Sequence, residues 1–191
     1  MAAGQSLDLT SFASVFLSRY DAPIDESIIS AIRAATDPDT IVELKSIIGR
    51  VSIAGAWMIA RRYREFFGGA AFATLRDAGA RAQRPLWAGV VARNSRYGDV
   101  TYMEAIAIPG TAITASDVPL DAYRLHGIPL PAIDDGSSDL VLDTCRAFGI
   151  DADRIAHDME ETVVIAFMEA FDGLVAGVER KAIKQSRVVL S

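Results

Sequence analysis

The chain has 191 residues, enough for one domain with a real core. Half of it is hydrophobic (51%) against 23% charged, with a mean hydropathy of +0.24. That balance means either an unusually large core or apolar surface covered by another chain. The net charge is −6, the isoelectric point is near 4.9, and only three of the 19 basic residues are lysines, Lys45, Lys181 and Lys184. With no Lys/Arg block, a nucleic-acid surface is not expected, although scattered arginines suit a small anion. Cys145 is the one cysteine, so an internal disulfide and a thiolate metal site are excluded and a reducing cytoplasm fits. Residues 1–7 carry neither a charged start nor a long apolar run, and no stretch of about 18 uncharged apolar residues exists, so neither a signal peptide nor a spanning helix is expected.

In chain order, Phe12–Leu17 (FASVFL) is a short apolar run before Ser18-Arg19-Tyr20-Asp21. It reads as a buried strand whose polar residues begin where the strand ends. Residues 25–35 read as a helix. Asp37-Pro38-Asp39 is a turn into a second helix, with proline in its first turn. Gly49 is a soft break. Residues 51–67 are apolar on most faces and are expected to form a well-buried helix, ended by Gly68-Gly69. Another helix spans 71–78 and stops at Gly79.

Pro85–Val91 (PLWAGVV) is the second strand candidate, followed by a loop of Arg, Asn, Ser and Gly. Residues 102–107 are a short helix or turn. Thr111–Ala115 (TAITA) is a weaker third strand. A helix over 120–126 precedes a polar, proline-rich loop over 127–138. Residues 139–148 are helical up to Gly149. The last helix starts at Asp151, with Asp153 and Asp158 in its early turns, and runs to about Lys184.

Three strands each followed by helices favour a parallel α/β arrangement. A closed (β/α)₈ barrel needs roughly 250 residues, and three parallel strands cannot close. The expected fold is therefore a helix-rich partial (β/α)₈ barrel, one domain over residues 1–191, with two open edges that something must pair.

Two segments carry a family resemblance. Ser11–Asp21 (SFASVFLSRYD) is similar to a late strand end of the transaldolases, with its serine, aromatic, Ser-Arg and Asp. Gly79–Asn94 (GARAQRPLWAGVVARN), followed by Tyr97, Asp99, Tyr102 and Glu104, resembles that family's GA-x-x-QRPLWAST segment and the basic loop after it. Pro109-Gly110-Thr111, His126-Gly127 and the closing stretch 151–184 fall in the matching order. The likeness runs from Leu9 to Ile183 and corresponds to the family's sixth strand through its C-terminus.

The resemblance implies a barrel missing its first five strands. Those strands carry the family's Schiff-base lysine and the aspartate and glutamate that handle protons. Lys45, Lys181 and Lys184 follow no apolar strand run, and a Schiff-base lysine needs a lowered pKa, so no catalytic residue is expected in this chain. Carried over position by position, the resemblance implies that Arg19 binds the substrate phosphate. It implies that Ser14 hydrogen-bonds nearby, that Phe16 walls the site, and that Arg93 is the basic residue after the second of these strands. The family's serine in WAST is Gly89 here, which removes a hydroxyl from the phosphate cup; a hydrogen bond to a charged group is worth about 1.5–3 kcal/mol.

Each of these residues has an ordinary alternative. Arg19 would otherwise pair with Asp21 or Asp25, Ser14 with backbone, and Phe16 with the core. One of Arg93 and Arg96 would simply be solvated. His126 and His157 read as structural or surface residues. Cys145, Trp57 and Trp87 read as core, and Asp134-Asp135-Gly136 as a turn rather than a metal loop.

Two functions compete. One is a subunit of a split transaldolase-type enzyme that moves a dihydroxyacetone-like unit between sugar phosphates. A partner chain would supply the N-terminal barrel strands and the lysine. The other is a noncatalytic pseudoenzyme, an interaction or regulatory module that pairs with a transaldolase or with itself as a homo-oligomer. Neither needs a cofactor, a metal, nucleic acid or a membrane, both suit the cytoplasm, and alone the chain is expected to aggregate or self-associate.

Overall fold

Between its helical segments the chain forms three short strands. They are β1 (Phe12–Phe16), β2 (Arg84–Ala88) and β3 (Ala112–Ile113). The computed structural model describes residues 7–92, 97–129 and 135–189, with side chains to 182. The strands lie in the order β1-β2-β3 and both pairings are parallel, with Ser14 opposite Leu86 and Leu86 opposite Ala112. Between them come α1 (Leu17–Ala34), α2 (Pro38–Ile47), α3 (Val51–Gly68) and α4 (Ala70–Asp77). After β2 come α5 (Thr101–Ala105), and after β3 α6 (Asp117–His126), α7 (Ser137–Ala147) and α8 (Ala152–Val189). The chain divides into two compact units, 1–151 and 152–191.

Several expectations are corrected. The helix expected from residue 25 begins eight residues earlier, at Leu17, directly after the strand. Ser18–Asp21 are therefore its first turns rather than a strand end. Their polarity marks a helix whose inner face holds buried acids, and Pro23, the seventh residue of the helix, gives up the backbone bond that an N–H there would make to the carbonyl of Arg19. Nor is β1 buried. Phe12 and Phe16 are 44% and 42% exposed, because among the described residues β1 pairs on one side only. Helix α3 buries one stripe, Val51, Ala54, Trp57 and Ala60 among it, and leaves Phe66 exposed.

Alternation along the strands explains the exposure pattern. Val15, Trp87 and Ile113 point toward the helices and join a core of Leu17, Trp57, Ala60, Val90, Tyr102 and Ile106. Trp87 is fully buried, and its indole N–H donates to Thr111 Oγ1 at 2.9 Å. A ring of that size brings roughly 150–250 Å² out of water, about 4–6 kcal/mol of driving force. Helix α3 packs against α7, whose buried residues include Val141 and Cys145. Asp37 caps α2, accepting from Thr40 N at 2.9 Å and Thr40 Oγ1 at 2.8 Å.

The inner face of α1 carries two buried carboxylates, Asp21 and Asp25, four residues apart on the stripe of Leu17, Ile24 and Ile28. Asp21 accepts from Ser52 N (3.0 Å), Ser52 Oγ (2.7 Å) and the Tyr102 hydroxyl. Asp25 accepts from Gly49 N (2.9 Å) and the Tyr97 hydroxyl. Burial pushes the Asp25 carboxyl above its ordinary value, opposed by the bonds from Tyr97 and Gly49. Burial, then the charge of Asp21, pushes the Tyr102 phenol far above its usual range, so it stays a donor.

Helix α8 is a unit by itself. Arg154 and Asp158 lie 3.9 Å apart and His157 and Glu161 3.8 Å apart, exposed pairs one turn apart that contribute little, the second being an ion pair only with a protonated imidazole. Farther along, Val164, Phe167, Phe171, Leu174 and Val178 recur at helical spacing and are exposed.

Asp25 generates a pH dependence. Its folded pKa is raised, so the native chain holds a proton that the unfolded chain releases. Its contribution to stability is fully present below the ordinary value of 3.8 and is lost as pH rises through the folded value. Asp37, Asp99, Asp135 and Asp139, held below their ordinary values, act in the opposite sense in the same acid range, so the check is a difference: urea midpoints from pH 3 upward will fall in the wild type relative to Asp25→Asn, which cannot titrate at that position.

Candidate functional site

In parallel α/β folds the chemistry gathers at the carboxyl ends of the strands. The β1 end is built without a loop, since Phe16 closes the strand and Leu17 opens α1. No side chain caps α1, but Ser18 N–H donates to Gly89 O at 3.0 Å, tying the first turn of the helix to the end of β2. Leu17, Asp21, Ile24 and Ile28 face inward. Arg19 lies two residues from Asp21, about 200° around the helix, and so points the opposite way.

There the Arg19 guanidinium lies over the Phe16 ring, 5.4 Å from its centroid. Phe12, Ser14 and Phe16 alternate away from Val15 and share the open face of the sheet with Arg84, Leu86 and Ala112. At the other end of that face, Arg84 lies over Phe12, 5.6 Å from the ring centroid. It donates to Gly110 O at 3.1 Å and Thr111 O at 2.8 Å, bridging β2 to the start of β3.

The expected site residues thus come together in part. Ser14 is exposed and Phe16 half-exposed on one face, with Arg19 stacked on Phe16. Arg93 lies outside the described residues, as do Arg96 and Asp134. The ordinary reading of Arg19 as an ion-pair partner of Asp21 or Asp25 is not what is found. Both acids are buried and taken by other donors, and Arg19 has no carboxylate partner among the described residues. A guanidinium of this kind is suited to an oxyanion.

Other expectations sit elsewhere. His126 Nε2 meets exposed Asp99 Oδ1 at 2.9 Å, and that bond holds the Asp99 carboxyl below its usual range. Lys45 is exposed on α2 and Lys181 on α8. Asp135 accepts from Ser137 N at 2.9 Å at the start of α7, after Gly136 at φ +80°. Among the described residues no group of three or more His, Cys, Asp or Glu side chains could hold a metal. No described helix is long and apolar enough to cross a membrane. A cavity of about 560 Å³ opens elsewhere, lined by Arg50, Trp57, Tyr97, Glu104 and Ser138 among others, and none of Ser14, Phe16 and Arg19 lines it.

The anchoring of α1 by Ser52 and Tyr102 through Asp21 is not among the sequence-based expectations. The available signal was the spacing of Asp21 and Asp25 in phase with Leu17, Ile24 and Ile28, which places both acids on a buried face.

Gly89 is more than a missing hydroxyl. Its φ is +63°, in the left-handed region, and a Cβ there would lie 3.4 Å from Ser18 Oγ and 3.6 Å from the Phe16 ring.

Comparison with known proteins finds no matching family model. Curated relatives do match. The chain is 31% identical over 181 residues to transaldolase 1 of Streptomyces avermitilis, covering 93% of this chain and 46% of the relative. It is 32% identical over 168 residues to the transaldolase of Thiobacillus denitrificans, covering 86% and 44%. It is 32% identical over 176 residues to the transaldolase of Mycolicibacterium smegmatis, covering 90% and 45%. The chain spans under half the length of these relatives.

Serine placed at position 89 will strain the backbone rather than restore a useful hydroxyl. Both Gly89→Ser and Gly89→Ala will lower the unfolding free energy by about 1–2 kcal/mol. The two variants will lie close together in urea titration, because the cost comes from the Cβ.

Proposed function

Because the chain belongs to the transaldolase family and covers less than half of its relatives, we propose that it is the C-terminal part of a transaldolase-type barrel completed by a partner chain. The partner supplies the N-terminal strands and, with them, the lysine that forms the Schiff base with the donor. This chain supplies the phosphate end of the site. The reaction is the transfer of a dihydroxyacetone-like unit between sugar phosphates, carried out in the cytoplasm by the two chains together and not by this one alone.

The observation that carries this reading is Arg19, a guanidinium without a carboxylate partner among the described residues, stacked on Phe16 beside the carboxyl end of a parallel strand. A phosphate dianion there meets a fork of N–H donors, with the Ser14 hydroxyl farther down the same face. Phe16 keeps the approach apolar and limits water around the charged pair, which strengthens it. Arg93 adds a second cation in this reading. The open face and the free edges supply the reason for a partner, since parallel sheets are normally covered on both faces.

Gly89 favours the second reading, a noncatalytic module, because the cup lacks a hydroxyl at that position. Arg19 favours the first.

The test is the phosphate preference of the purified complex, read as the ratio of kcat/KM for glyceraldehyde 3-phosphate to that for glyceraldehyde as acceptor. Arg19→Ala will lower this ratio about 10- to 100-fold, the size expected for a lost charged hydrogen bond. An unchanged ratio will contradict the assignment of Arg19.

A further inference from the structure

Arg19 has no side-chain hydrogen bond of its own among the described residues to fix its direction. Its guanidinium is stacked on the Phe16 ring. What sets its direction lies on the other side of the helix. The first turn of α1 lacks a side-chain cap, and Ser18 N–H is held by Gly89 O at 3.0 Å. One turn later the Asp21 carboxylate, 2% exposed, is fastened by three donors. Ser52 N reaches Oδ1 at 3.0 Å, Ser52 Oγ reaches Oδ2 at 2.7 Å, and the Tyr102 hydroxyl also donates to Oδ2. These donors come from the first turn of α3 and from α5, so the bonds fix the rotation of α1 about its axis. With Asp21 pinned inward, Arg19, about 200° away, is turned over Phe16 and the open face.

We propose that Ser52 and Tyr102, acting through Asp21, are positioning residues that aim Arg19 at the substrate phosphate. This rests on the reading of Arg19 as the phosphate ligand. Neither residue touches substrate. Their hydroxyls hold a carboxylate, the carboxylate holds the helix, and the helix presents the guanidinium. A buried carboxylate with three donors is a rigid point, since each bond lies in a dry environment where losing it leaves charge uncompensated. Tyr102 is well chosen for a test, because its ring packs in the core while only its hydroxyl takes part. Phenylalanine keeps the first and removes the second.

The experiment is a double-mutant cycle on the purified complex, using the same pair of acceptors, glyceraldehyde 3-phosphate and glyceraldehyde. Tyr102→Phe is expected to lower the phosphate preference about 5- to 10-fold through KM for the phosphorylated acceptor, with kcat and the unphosphorylated acceptor little changed. Ser52→Ala is expected to do the same. In an Arg19→Ala background, Tyr102→Phe is expected to cause no further loss of preference. A purely structural role would instead lower both acceptors together, in either background, and that result overturns the proposal. So does an unchanged preference in Tyr102→Phe when Arg19→Ala has lowered it; the reading of Arg19 then stands and only the positioning role falls. If Arg19→Ala itself leaves the preference unchanged, or the complex shows none, the reading of Arg19 falls and this inference with it.

Discussion

A parallel sheet is normally covered on both faces and its edge strands paired or protected, and β1–β3 meets neither condition among the described residues. Helices pack on one face through Val15, Trp87 and Ile113. The other face, carrying Phe12, Ser14, Phe16 and Leu86, has no such layer. β1 pairs only with β2, and so does β3. The free edges explain how a strand as apolar as Phe12–Phe16 is half exposed. They also agree with the extent of the family match, which covers nearly all of this chain and under half of its relatives.

The strands and most helices were legible in the sequence because their punctuation is local. Asp37-Pro38 starts α2, Gly68-Gly69 ends α3, and Gly149 follows α7. The start of α1 was not legible. An apolar strand and a helix share Phe16-Leu17 with no turn residue between them, so the polar residues after Leu17 looked like a strand end. The signal that would have corrected this was the helical phase of Leu17, Asp21, Ile24 and Ile28. Two acids on that stripe argue against it unless donors are buried opposite them, and Ser52 and Tyr102 lie 31 and 81 residues farther along the chain. No local pattern reveals partners so distant.

The candidate site was legible by residue type but not by geometry. Serine, phenylalanine and arginine at 14, 16 and 19 were identified through a resemblance. That the three share the open side of the sheet follows from a strand period of two running into a helix period of 3.6. That Arg19 stands apart from Asp21 and Asp25 required knowing where the acids go. Gly89 shows the same limit. By composition it is a lost hydroxyl, whereas its φ of +63° makes it a backbone requirement at the point where β2 holds the first turn of α1.

The central claim is that a second chain completes this barrel. The direct measurement is affinity purification of a tagged copy from its native cell, with the stoichiometric species identified by mass spectrometry. The account predicts a single partner that resembles the first five strands of a transaldolase, with its strand lysine present. Recovery of this chain alone as a stable monomer, or only as copies of itself, would contradict it.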